Sequence, residues 1–547
     1  MKELVMKYVA MNAAKYGKPN EKAVLGKVIA ENPELKARVK EVIELVKQCI
    51  AEFEEMSEDE KRRLMELYSV EEQKKEKEPK LPPLERAEKG KVVMRFAPNP
   101  NGPPTLGSAR GIIVNGEYAK IYDGKFIIRF DDTDPRTKRP MLEAYDWYIE
   151  DAEWLGYKPD EVVYASKRIP IYYEYAERLI EMGKAYVCFC PREEFSRYRS
   201  EGVECPHRST SVEENLESWQ KMLEGAFEEG EAVLRIKTDM KHPDPAVRDW
   251  VAFRIIYESH PLVGDAYFVY PTLDFESAIE DRLLGVTHII RGKDLMDSER
   301  RQRYIYDYFG WEYPVTKHWG KIRIHEFGKL STSELRRAIE AGEYEGWDDP
   351  RLPTIRALRR RGFEPEAIRR FILSLGVGEN DVAVSMKNLY AENRKLIDSK
   401  ANRYFFVWNP VEIEIVGLPE EREVTLPLNP RGGERRLRGE ARVMVTREDF
   451  EKFRGQVVRL KDFCNIVLDE KSEFVSFELG NVKKGRIIHW LPLSQAVRCR
   501  VIGEVSKEGF CEVNVENDVG RVVQFERFAF CMVEKFDEEV VAVYTHP

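Results

Sequence analysis

The segment RFAPNPNGPPTLGSARG, from Arg95 to Gly111, joins a strand-like run to a helix-like run. Val92 to Phe96 is apolar enough for a buried strand, and apolar residues recur at helical spacing from Leu106 until Asp123-Gly124. A strand, a glycine-containing loop and a helix start present free backbone N–H groups and the positive end of a helix dipole, which suits a phosphate. The segment therefore predicts a nucleotide site. The alternative is an ordinary strand-to-helix turn of any α/β domain.

Two further segments favour the nucleotide site. A second strand-like run, Phe126 to Phe130, leads directly into the polar residues Asp131 to Asp134. Far downstream, Lys329 to Ser333 (KLSTS) follows a β-like stretch and precedes a helix. With these segments the chain resembles the class I aminoacyl-tRNA synthetases of the glutamyl/glutaminyl group, in their archaeal form. Their first signature, named HIGH, falls on Thr105 to Ser108, and their second, named KMSKS, falls on Lys329 to Ser333.

The resemblance extends from about Lys91 to beyond Asn402 and includes the segments PTLDF, LLGVTHIIRGKD and WDDPRLPTIRALRRRGFEPEAIRRF. It implies a multidomain protein in which a parallel α/β sheet of Rossmann type carries the chemistry. Short period-2 segments after Pro410 indicate β-barrels; they cover residues 411–416, 443–445, 457–460, 474–477, 522–525 and 540–543. The expected parts are a helical N-terminal region with a charged linker (1–85), a first catalytic half (91–186), an inserted domain for the tRNA acceptor stem (187–268), a second catalytic half (269–333), a helical tRNA-contact domain (334–402) and a β-barrel anticodon-binding region (403–547).

Composition limits the class of protein. The chain has 547 residues, which predicts three or more domains, and its formal net charge of −9 requires local basic patches for any nucleic-acid partner. It contains no apolar run long enough to span a membrane, so we expect a cytoplasmic protein. Eight scattered cysteines argue against a disulfide scaffold.

The resemblance implies ATP-dependent ligation of L-glutamate to the 3′ end of tRNA(Glu) through a glutamyl-adenylate, with Mg²⁺ on the phosphates. Both reactants of the first step are anionic, so the site needs cations and N–H donors more than a general base. The expected catalytic residues are Thr105, Gly107, Ser108, Lys329, Ser331, Thr332 and Ser333. The expected ATP-binding residues are Asn99, Gly102, Thr105, Gly107, Ser108 and Lys329.

The chain departs from the family pattern inside both signatures. Thr105 and Ser108 stand where two histidines are usual, and Thr332 stands where many members have lysine. Hydroxyl groups donate to phosphate oxygens but carry no positive charge. We predict that Lys329, Arg336 or Arg337 supplies the missing charge. The alternative is an inactive paralogue.

The resemblance also implies a glutamate site. Asp131 matches an acidic residue that faces the α-amine, and Arg95 and Arg291 match basic residues that face carboxylates. Arginine binds a carboxylate bidentately, and glutaminyl members do not usually have it at the Arg291 position, so glutamate is favoured over glutamine. The alternative for Arg291 is a surface ion pair with Asp294 or Glu299. Tyr270 is a further candidate contact, whereas Leu273 replaces a tyrosine common in this motif.

One cluster has metal-ligand spacing. Cys188-x-Cys190 followed by Cys205-x-His207 offers three thiols and an imidazole, a donor set suited to structural Zn²⁺. Some glutamyl enzymes have a similar cluster in the inserted domain. The alternative is a group of reduced cysteines with an unrelated histidine.

An arginine-rich segment predicts contacts with RNA phosphates. Its candidates are Arg351, Arg356, Arg359 and Arg360, within a concentration that also includes Arg361, Arg369 and Arg370. The alternative is a solvated helix face balanced by nearby glutamates. The N-terminal region is expected to dock a protein partner or tRNA, or to be a helical appendage without separate activity. Rival functions are a glutaminyl-tRNA synthetase, a truncated relative that glutamylates a modified base and lacks the barrels, and a non-catalytic tRNA-binding or scaffold protein.

Overall fold

The computed structural model describes residues 2–16, 18–32, 35, 38–57, 60–61, 64–65, 81–327, 332–479 and 486–547. The chain separates into two compact units, Met1–Lys80 and Leu81–Pro547. None of the helices in these described ranges is both long and apolar enough to cross a membrane.

The first unit consists of helices α1 (Lys2–Tyr16), α2 (Glu21–Glu31) and α3 (Val39–Glu55). Helix α2 begins at a side-chain cap, because Asn20 accepts a hydrogen bond from the Ala23 N–H at 3.1 Å. A core of apolar side chains joins the helices; it includes Val5, Val9, Val24, Val28, Val42, Val46 and Phe53. Residues 71–80 of the expected charged linker lie outside the described residues.

The second unit begins with alternating strands and helices. They are β1 (Val93–Phe96), α4 (Ala109–Ile121), β2 (Lys125–Phe130), α5 (Leu142–Trp154), β3 (Glu161–Tyr164) and α6 (Ile169–Glu181). Helix α4 ends at the expected turn, where Asp123 has a positive φ of 53°. A Cβ atom on Gly124 would lie 2.3 Å from the carbonyl oxygen of Val92, so this turn requires glycine.

An antiparallel sheet interrupts the alternation. Its region contains β4 (Ala185–Cys188), α7 (Arg192–Glu201), α8 (Val212–Leu223), β5 (Val233–Ile236), β6 (Val251–Ile255) and β7 (Val269–Pro271). The four strands pair in chain order. The first and last strands extend two or three residues beyond the expected insertion (187–268), since β4 starts at Ala185 and β7 ends at Pro271.

The α/β alternation then resumes with α9 (Leu273–Leu283), β8 (His288–Gly292), α10 (Met296–Phe309) and β9 (Val315–Trp319). The central sheet is parallel, with the order β3-β2-β1-β8-β9. The parallel sheet expected from the sequence is thus confirmed. In such a sheet the carboxyl ends of all strands lie along one edge, where ligands bind.

A largely helical region follows the sheet. It contains β10 (Ile322–Ile324), α11 (Thr332–Glu340), α12 (Ile355–Arg360), α13 (Pro365–Ser374), β11 (Val382–Val384) and α14 (Met386–Ile397). Strands β10 and β11 pair in parallel, so the region is less uniformly helical than the sequence indicated.

The remainder of the chain is β-structure, as expected. Its elements are β12 (Arg403–Tyr404), β13 (Phe406–Trp408), β14 (Pro410–Val416), β15 (Arg422–Asn429), β16 (Gly432–Gly439), β17 (Arg442–Thr446), α15 (Arg447–Phe453), β18 (Val457–Leu460), β19 (Cys464–Val467), β20 (Lys471–Ser476), β21 (Ile487–Ile488), β22 (Leu491–Pro492), β23 (Ala496–Ile502), β24 (Lys507–Glu512), β25 (Val522–Phe525), β26 (Ala529–Phe536) and β27 (Val540–His546). They form two seven-stranded sheets and the separate β15-β16 hairpin. Each large sheet curls around its own apolar core as a half-barrel.

Candidate active site

The first signature forms a compact turn at the start of helix α4. The hydroxyl of Ser108 accepts a hydrogen bond from the Thr105 N–H at 2.8 Å, and the hydroxyl of Thr105 accepts one from the Ser108 N–H at 3.3 Å. The two side-chain oxygens lie 3.3 Å apart. Gly107, between them, is exposed. The residues that replace the usual histidines therefore hold the turn that presents Gly107.

Backbone hydrogen bonds fix the proline-rich loop that leads to this turn. Leu106 N–H donates to the Pro353 carbonyl at 2.8 Å, and Ile355 N–H donates to the Pro104 carbonyl at 2.9 Å. The amide of Asn99 donates to the Asp131 carbonyl at 3.0 Å. Because proline has no N–H, Pro104 and Pro353 take part in these hydrogen bonds through their carbonyl oxygens. The loop is thus held between strand β2 and the start of helix α12.

The second signature is only partly described, since Lys329 and Ser331 lie in residues 328–331, outside the described residues. Thr332 is the first residue of helix α11, and Ser333 follows it. A Cβ atom on Gly102 would lie 2.5 Å from Cγ2 of Thr332 and 2.8 Å from the ring of Trp347. The proline-rich loop that precedes the first signature therefore contacts the second signature at Gly102, although the two are more than two hundred residues apart in sequence.

The two arginines proposed to supply charge lie on helix α11. Arg336 forms an ion pair with Glu340 at 3.0 Å, and Arg337 donates to the Ser333 carbonyl at 3.3 Å. Both contacts are within the helix. Neither arginine is fixed by a partner from another element among the contacts of the described residues.

Three arginines share one face of the central sheet. Arg95 is paired with Ile127 across strands β1 and β2, and Met94 is paired with His288 of strand β8. Since residues two apart on a strand share a face, this register puts Arg129 and Arg291 on the same face as Arg95. Their side chains are 4%, 0% and 5% exposed for Arg95, Arg129 and Arg291.

Two of these arginines are neutralised by carboxylates. Arg95 donates to both carboxylate oxygens of Asp281, at 3.0 and 3.1 Å. Arg129 donates to Asp131 at 2.7 Å and to Asp281 at 2.5 Å. Burial raises the pKa of Asp281, but the charges of Arg95 and Arg129 outweigh this effect and lower the pKa to about 2. Asp281 is therefore the ionised counter-ion that both arginines share.

Arg291 is different, because its guanidinium meets only neutral groups. Both of its Nη atoms lie 3.2 Å from Oε1 of Gln302, and Nη2 also donates to the Tyr313 hydroxyl at 3.2 Å. Among the described residues, neither Asp294 nor Glu299 forms the ion pair with Arg291 that was the alternative interpretation. A buried cation without a carboxylate partner is suited to bind an anionic group.

Tyr270, in strand β7, is fully buried, and its hydroxyl has no hydrogen-bond partner among the described residues. Burial raises its pKa to about 12, so the group is a neutral donor. Leu273 begins helix α9 and is 37% exposed.

The Cys/His cluster forms a compact group at the edge of the antiparallel sheet. One ligand atom from each of Cys188, Cys190, Cys205 and His207 lies within 4.8 Å of every other. Sγ of Cys188 is 4.0 Å from Sγ of Cys205, and Sγ of Cys190 is 3.3 Å from Nδ1 of His207. Zinc–sulfur bonds of about 2.3 Å in a tetrahedron put the sulfurs about 3.8 Å apart. The donor set and its spacing fit a structural zinc ion.

The arginine-rich segment is mostly engaged with acidic residues. Arg351 pairs with Asp349 at 2.6 Å, Arg356 with Glu150 at 2.9 Å, and Arg360 with Glu534 at 2.7 Å. Arg359 is exposed and packs over Trp154, 5.8 Å from the ring centre, without an acidic partner among the contacts of the described residues.

The neighbouring arginines have structural contacts. Arg361 is 1% exposed and donates to the carbonyl oxygens of Tyr544 and Thr545, so it holds the last strand of the chain. Arg369 donates to the Leu155 carbonyl at 3.2 Å. Arg370 pairs with Glu366 at 2.6 Å. The concentration of arginine in the sequence thus overstates the charge available to a partner.

Sequence reasoning missed four residues of the buried face: Arg129, Asp281, Gln302 and Tyr313. Arg129 had a signal, because a charged residue inside the apolar run FIIRF must be paired when the strand is buried. The other three have no local signal. Each becomes part of the site only through packing against strands β1 and β8.

Known protein families and relatives match this chain over most of its length. A sequence model for the catalytic domain of tRNA synthetases class I (E and Q) matches residues 91–399, and one for their anti-codon binding domain matches residues 401–483. The chain is 73% identical over 551 residues to a Glutamate--tRNA ligase of Archaeoglobus fulgidus, and the match covers 100% of each of the two chains. It is 56% identical over 562 residues to a Glutamate--tRNA ligase of Methanosarcina acetivorans, covering 99% of this chain and 98% of that one.

Among solved structures, a glutamate tRNA ligase from Elizabethkingia meningosepticum in complex with its amino acid is 23% identical, with a TM-score of 0.42 over 57% of this chain and 71% of that chain. The catalytic-domain match alone spans more than half of the present sequence. With the full-length relatives, it shows that the chain belongs to the tRNA synthetases class I (E and Q).

Proposed function

We propose that the chain ligates L-glutamate to the 3′ end of tRNA(Glu) at the expense of ATP. The observation that carries the proposal is Arg291, a buried guanidinium with no carboxylate partner among the described residues, on the face of the sheet that also contains Arg95. The Glutamate--tRNA ligase of Archaeoglobus fulgidus, identical at 73% of positions over the full length, supports the same function.

The reaction has two steps. A carboxylate oxygen of glutamate attacks the α-phosphorus of ATP, which forms glutamyl-adenylate and releases pyrophosphate. A terminal ribose hydroxyl of tRNA then attacks the activated carbonyl carbon, loses its proton, and releases AMP. Both steps gain from alignment and from cationic groups around the phosphates.

In this proposal the signature turn receives ATP. Exposed Gly107 lets the backbone approach the nucleotide, whereas buried Gly102, also expected to do so, faces Thr332 and Trp347 instead. Thr105, Ser108, Ser331, Thr332 and Ser333 offer hydroxyl groups. Lys329, Arg336 and Arg337 are the candidates for positive charge. Mg²⁺, when bound to ATP, offsets part of the phosphate charge.

The glutamate site is proposed around the arginine face. Arg291 binds the side-chain carboxylate of the substrate, and Arg95, held by Asp281, lies beside it on the sheet. Asp131 receives the α-amine, and Tyr270 offers its unpartnered hydroxyl. Asp131 keeps its ion pair with Arg129, so its orientation is fixed before substrate binds.

An aminoacylation assay tests the function. Purified protein, ATP, Mg²⁺ and total archaeal tRNA are incubated with labelled glutamate or labelled glutamine, and acid-precipitable aminoacyl-tRNA is counted. We expect charging with glutamate and a rate with glutamine lower by at least about 100-fold, because an amide leaves the buried Arg291 charge unpaired. Omission of ATP or tRNA is the control.

Two outcomes contradict the proposal in different ways. Charging with glutamine alone identifies a glutaminyl-tRNA synthetase. Charging with neither amino acid, together with tRNA binding, identifies a non-catalytic tRNA-binding paralogue.

We propose that the arginine-rich segment contacts tRNA phosphates along the inside of the tRNA. Arg359 is the strongest of the four candidates, because Arg351, Arg356 and Arg360 already have carboxylate partners. Arg359 also lines a cleft of about 840 Å³ together with Lys400, Arg431 and Arg521. Phosphate contacts by such residues position RNA without reading its sequence.

We further propose that the Cys/His cluster binds a structural zinc ion. Protein purified without chelator should contain about one zinc per chain by plasma mass spectrometry, because three thiolates and an imidazole complete a tetrahedron. Cys190→Ser should lose most of this zinc and lower the thermal stability of the inserted region. Cys464→Ser, at a buried cysteine outside the cluster, is the matched control and should keep the metal. Wild-type protein without stoichiometric zinc would contradict the site.

The remaining regions receive roles by their relation to the family. Residues 187–268 are proposed to hold the acceptor end, 334–402 to contact the tRNA body, and 403–547 to read the anticodon. Residues 1–85 are proposed to dock a protein partner or tRNA.

A further inference from the structure

The surroundings of Arg291 differ from those of the other two arginines on its face. Asp281 pairs with both Arg95 and Arg129, and Asp131 is a second carboxylate beside Arg129, whereas Arg291 has an amide and a phenol as its partners. All three guanidiniums are at least nine-tenths buried. Burial of an unpaired charge destabilises the folded state. The Arg291 guanidinium, which has no carboxylate partner among the described residues, therefore points to a function that offsets this penalty.

Gln302, from helix α10, is the centre of these surroundings. It is 1% exposed, and its Oε1 accepts hydrogen bonds from both Nη atoms of Arg291 and from the Tyr313 hydroxyl at 2.7 Å. Three donors around one atom identify that atom as the amide oxygen rather than the nitrogen. Nε2 of Gln302 and Nε of Arg291 have no hydrogen-bond partner among the described residues. The guanidinium is thus oriented but not neutralised.

Glu299, a carboxylate on the same helix, is engaged elsewhere. Glu299 pairs with Arg303 at 2.6 Å and lies 3.5 Å from Nε2 of His318, the residue paired with Arg291 across strands β8 and β9. Burial lowers the pKa of His318, so the imidazole is neutral near pH 7 and adds no competing charge. Charge at Arg291 therefore remains available to a ligand.

We propose that Gln302, held by Tyr313, is a positioning and specificity-determining residue for the amino-acid substrate. Its uncharged oxygen fixes the plane of the Arg291 guanidinium and leaves the full positive charge for a side-chain carboxylate. This inference rests on the proposed function and names the residue that makes an acidic substrate preferable to its amide.

The physical reason is a competition for one cation. A carboxylate at position 302 would have almost the same shape as glutamine but would pair with Arg291 as Asp281 pairs with Arg95. The substrate carboxylate would then meet a neutral pair and a nearby anion in a poorly solvated site. Glutamine as a substrate has no charge and would not suffer this penalty.

The test is a comparison of three variants with wild type by aminoacylation kinetics. Gln302→Glu adds charge without changing shape, Gln302→Met removes the acceptor without adding charge, and Gln220→Glu makes the same charge change on the exposed face of helix α8. KM and kcat are measured for glutamate, glutamine, ATP and tRNA, and thermal stability is measured in parallel.

For Gln302→Glu we expect the KM for glutamate to rise at least about tenfold and the glutamate-over-glutamine preference to fall by a similar factor, with the KM for ATP within about twofold of wild type. For Gln302→Met we expect a raised KM for glutamate but a preference kept within about threefold, because the charge of Arg291 is still uncompensated. Gln220→Glu should keep the wild-type KM for glutamate and the wild-type preference, because helix α8 contributes none of the residues described around Arg291.

The inference is overturned if Gln302→Glu keeps the wild-type KM for glutamate and the wild-type preference. It is also overturned if the KM values for all four substrates rise together with a loss of stability, which is the signature of a structural role. If Gln302→Glu does not fold, the test relies on Gln302→Met. Loss of the glutamate-over-glutamine preference in Gln302→Met would contradict the inference that the uncompensated charge of Arg291 sets this preference. Wild-type protein that does not charge glutamate contradicts the proposed function instead.

Discussion

Gly102→Ala is expected to lower aminoacylation by at least about 100-fold, because displacement of reacting groups by about 1 Å has an effect of this size. The added methyl group would lie 2.5 Å from Cγ2 of Thr332 and 2.8 Å from the ring of Trp347. Thr332 and Trp347 are both partly buried, and Trp347 packs against a small apolar cluster, so relief requires the loop at Gly102 to move away from the start of helix α11. Overpacking of this kind also destabilises by about 1–3 kcal/mol.

Substitutions at two other glycines distinguish an effect on packing from an effect on nucleotide binding. A methyl group on Gly378 would have no atom within 4 Å, so Gly378→Ala is the matched control and should keep activity and stability. A methyl group on Gly107 would meet only the Thr105 hydroxyl at 3.7 Å, so Gly107→Ala should fold normally. It should nevertheless raise the KM for ATP, because exposed Gly107 is proposed to meet the nucleotide. Wild-type kinetics for Gly102→Ala would show that the contact with Thr332 has no part in catalysis.

Asp281→Asn is expected to destabilise the second unit by about 3–5 kcal/mol, the usual effect of removing one partner from a buried ion pair. The substitution keeps the shape of the side chain but leaves Arg95 without a carboxylate and removes one of the carboxylates around Arg129. Activity should fall as well, since Arg95 loses the bidentate contact that fixes its direction. Denaturant unfolding and aminoacylation kinetics measure the two effects.

A control and a pH profile sharpen this prediction. Glu312→Gln removes an ion pair with Arg86 whose side chains are 86% and 69% exposed, and should change stability by less than about 1 kcal/mol. The pKa of Asp281 is lowered from 3.8 to about 2, so its stabilising contribution is present above pH 3.8 and lost as the pH falls towards 2. The stability of Asp281→Asn should therefore depend less on pH in this window. Equal pH profiles for variant and wild type would contradict the shared counter-ion.

The order of the structural elements could be read from local patterns. The strand–loop–helix segment at Arg95–Gly111, the second strand at Phe126–Phe130 and the period-2 segments after Pro410 all appear in the structure within one or two residues at most ends. Hairpin β15-β16 escaped prediction, because its sequence is rich in arginine and glutamate and half of its side chains face solvent. Lys329, the lysine of the second signature, lies outside the described residues.

The two signatures, the Cys/His cluster and the succession of sheet, insertion, helices and barrels were determined by the sequence alone. Each of these features can be recognised from residues that are close together along the chain. Only the tertiary structure decided which charges are free. Asp281 meets Arg95 across 186 positions, and Glu534 meets Arg360 across 174, so no local pattern reports that these arginines are neutralised. The same packing leaves Arg291 facing the amide oxygen of Gln302. Pairing of buried charges depends on distance in space, whereas sequence patterns record only distance along the chain.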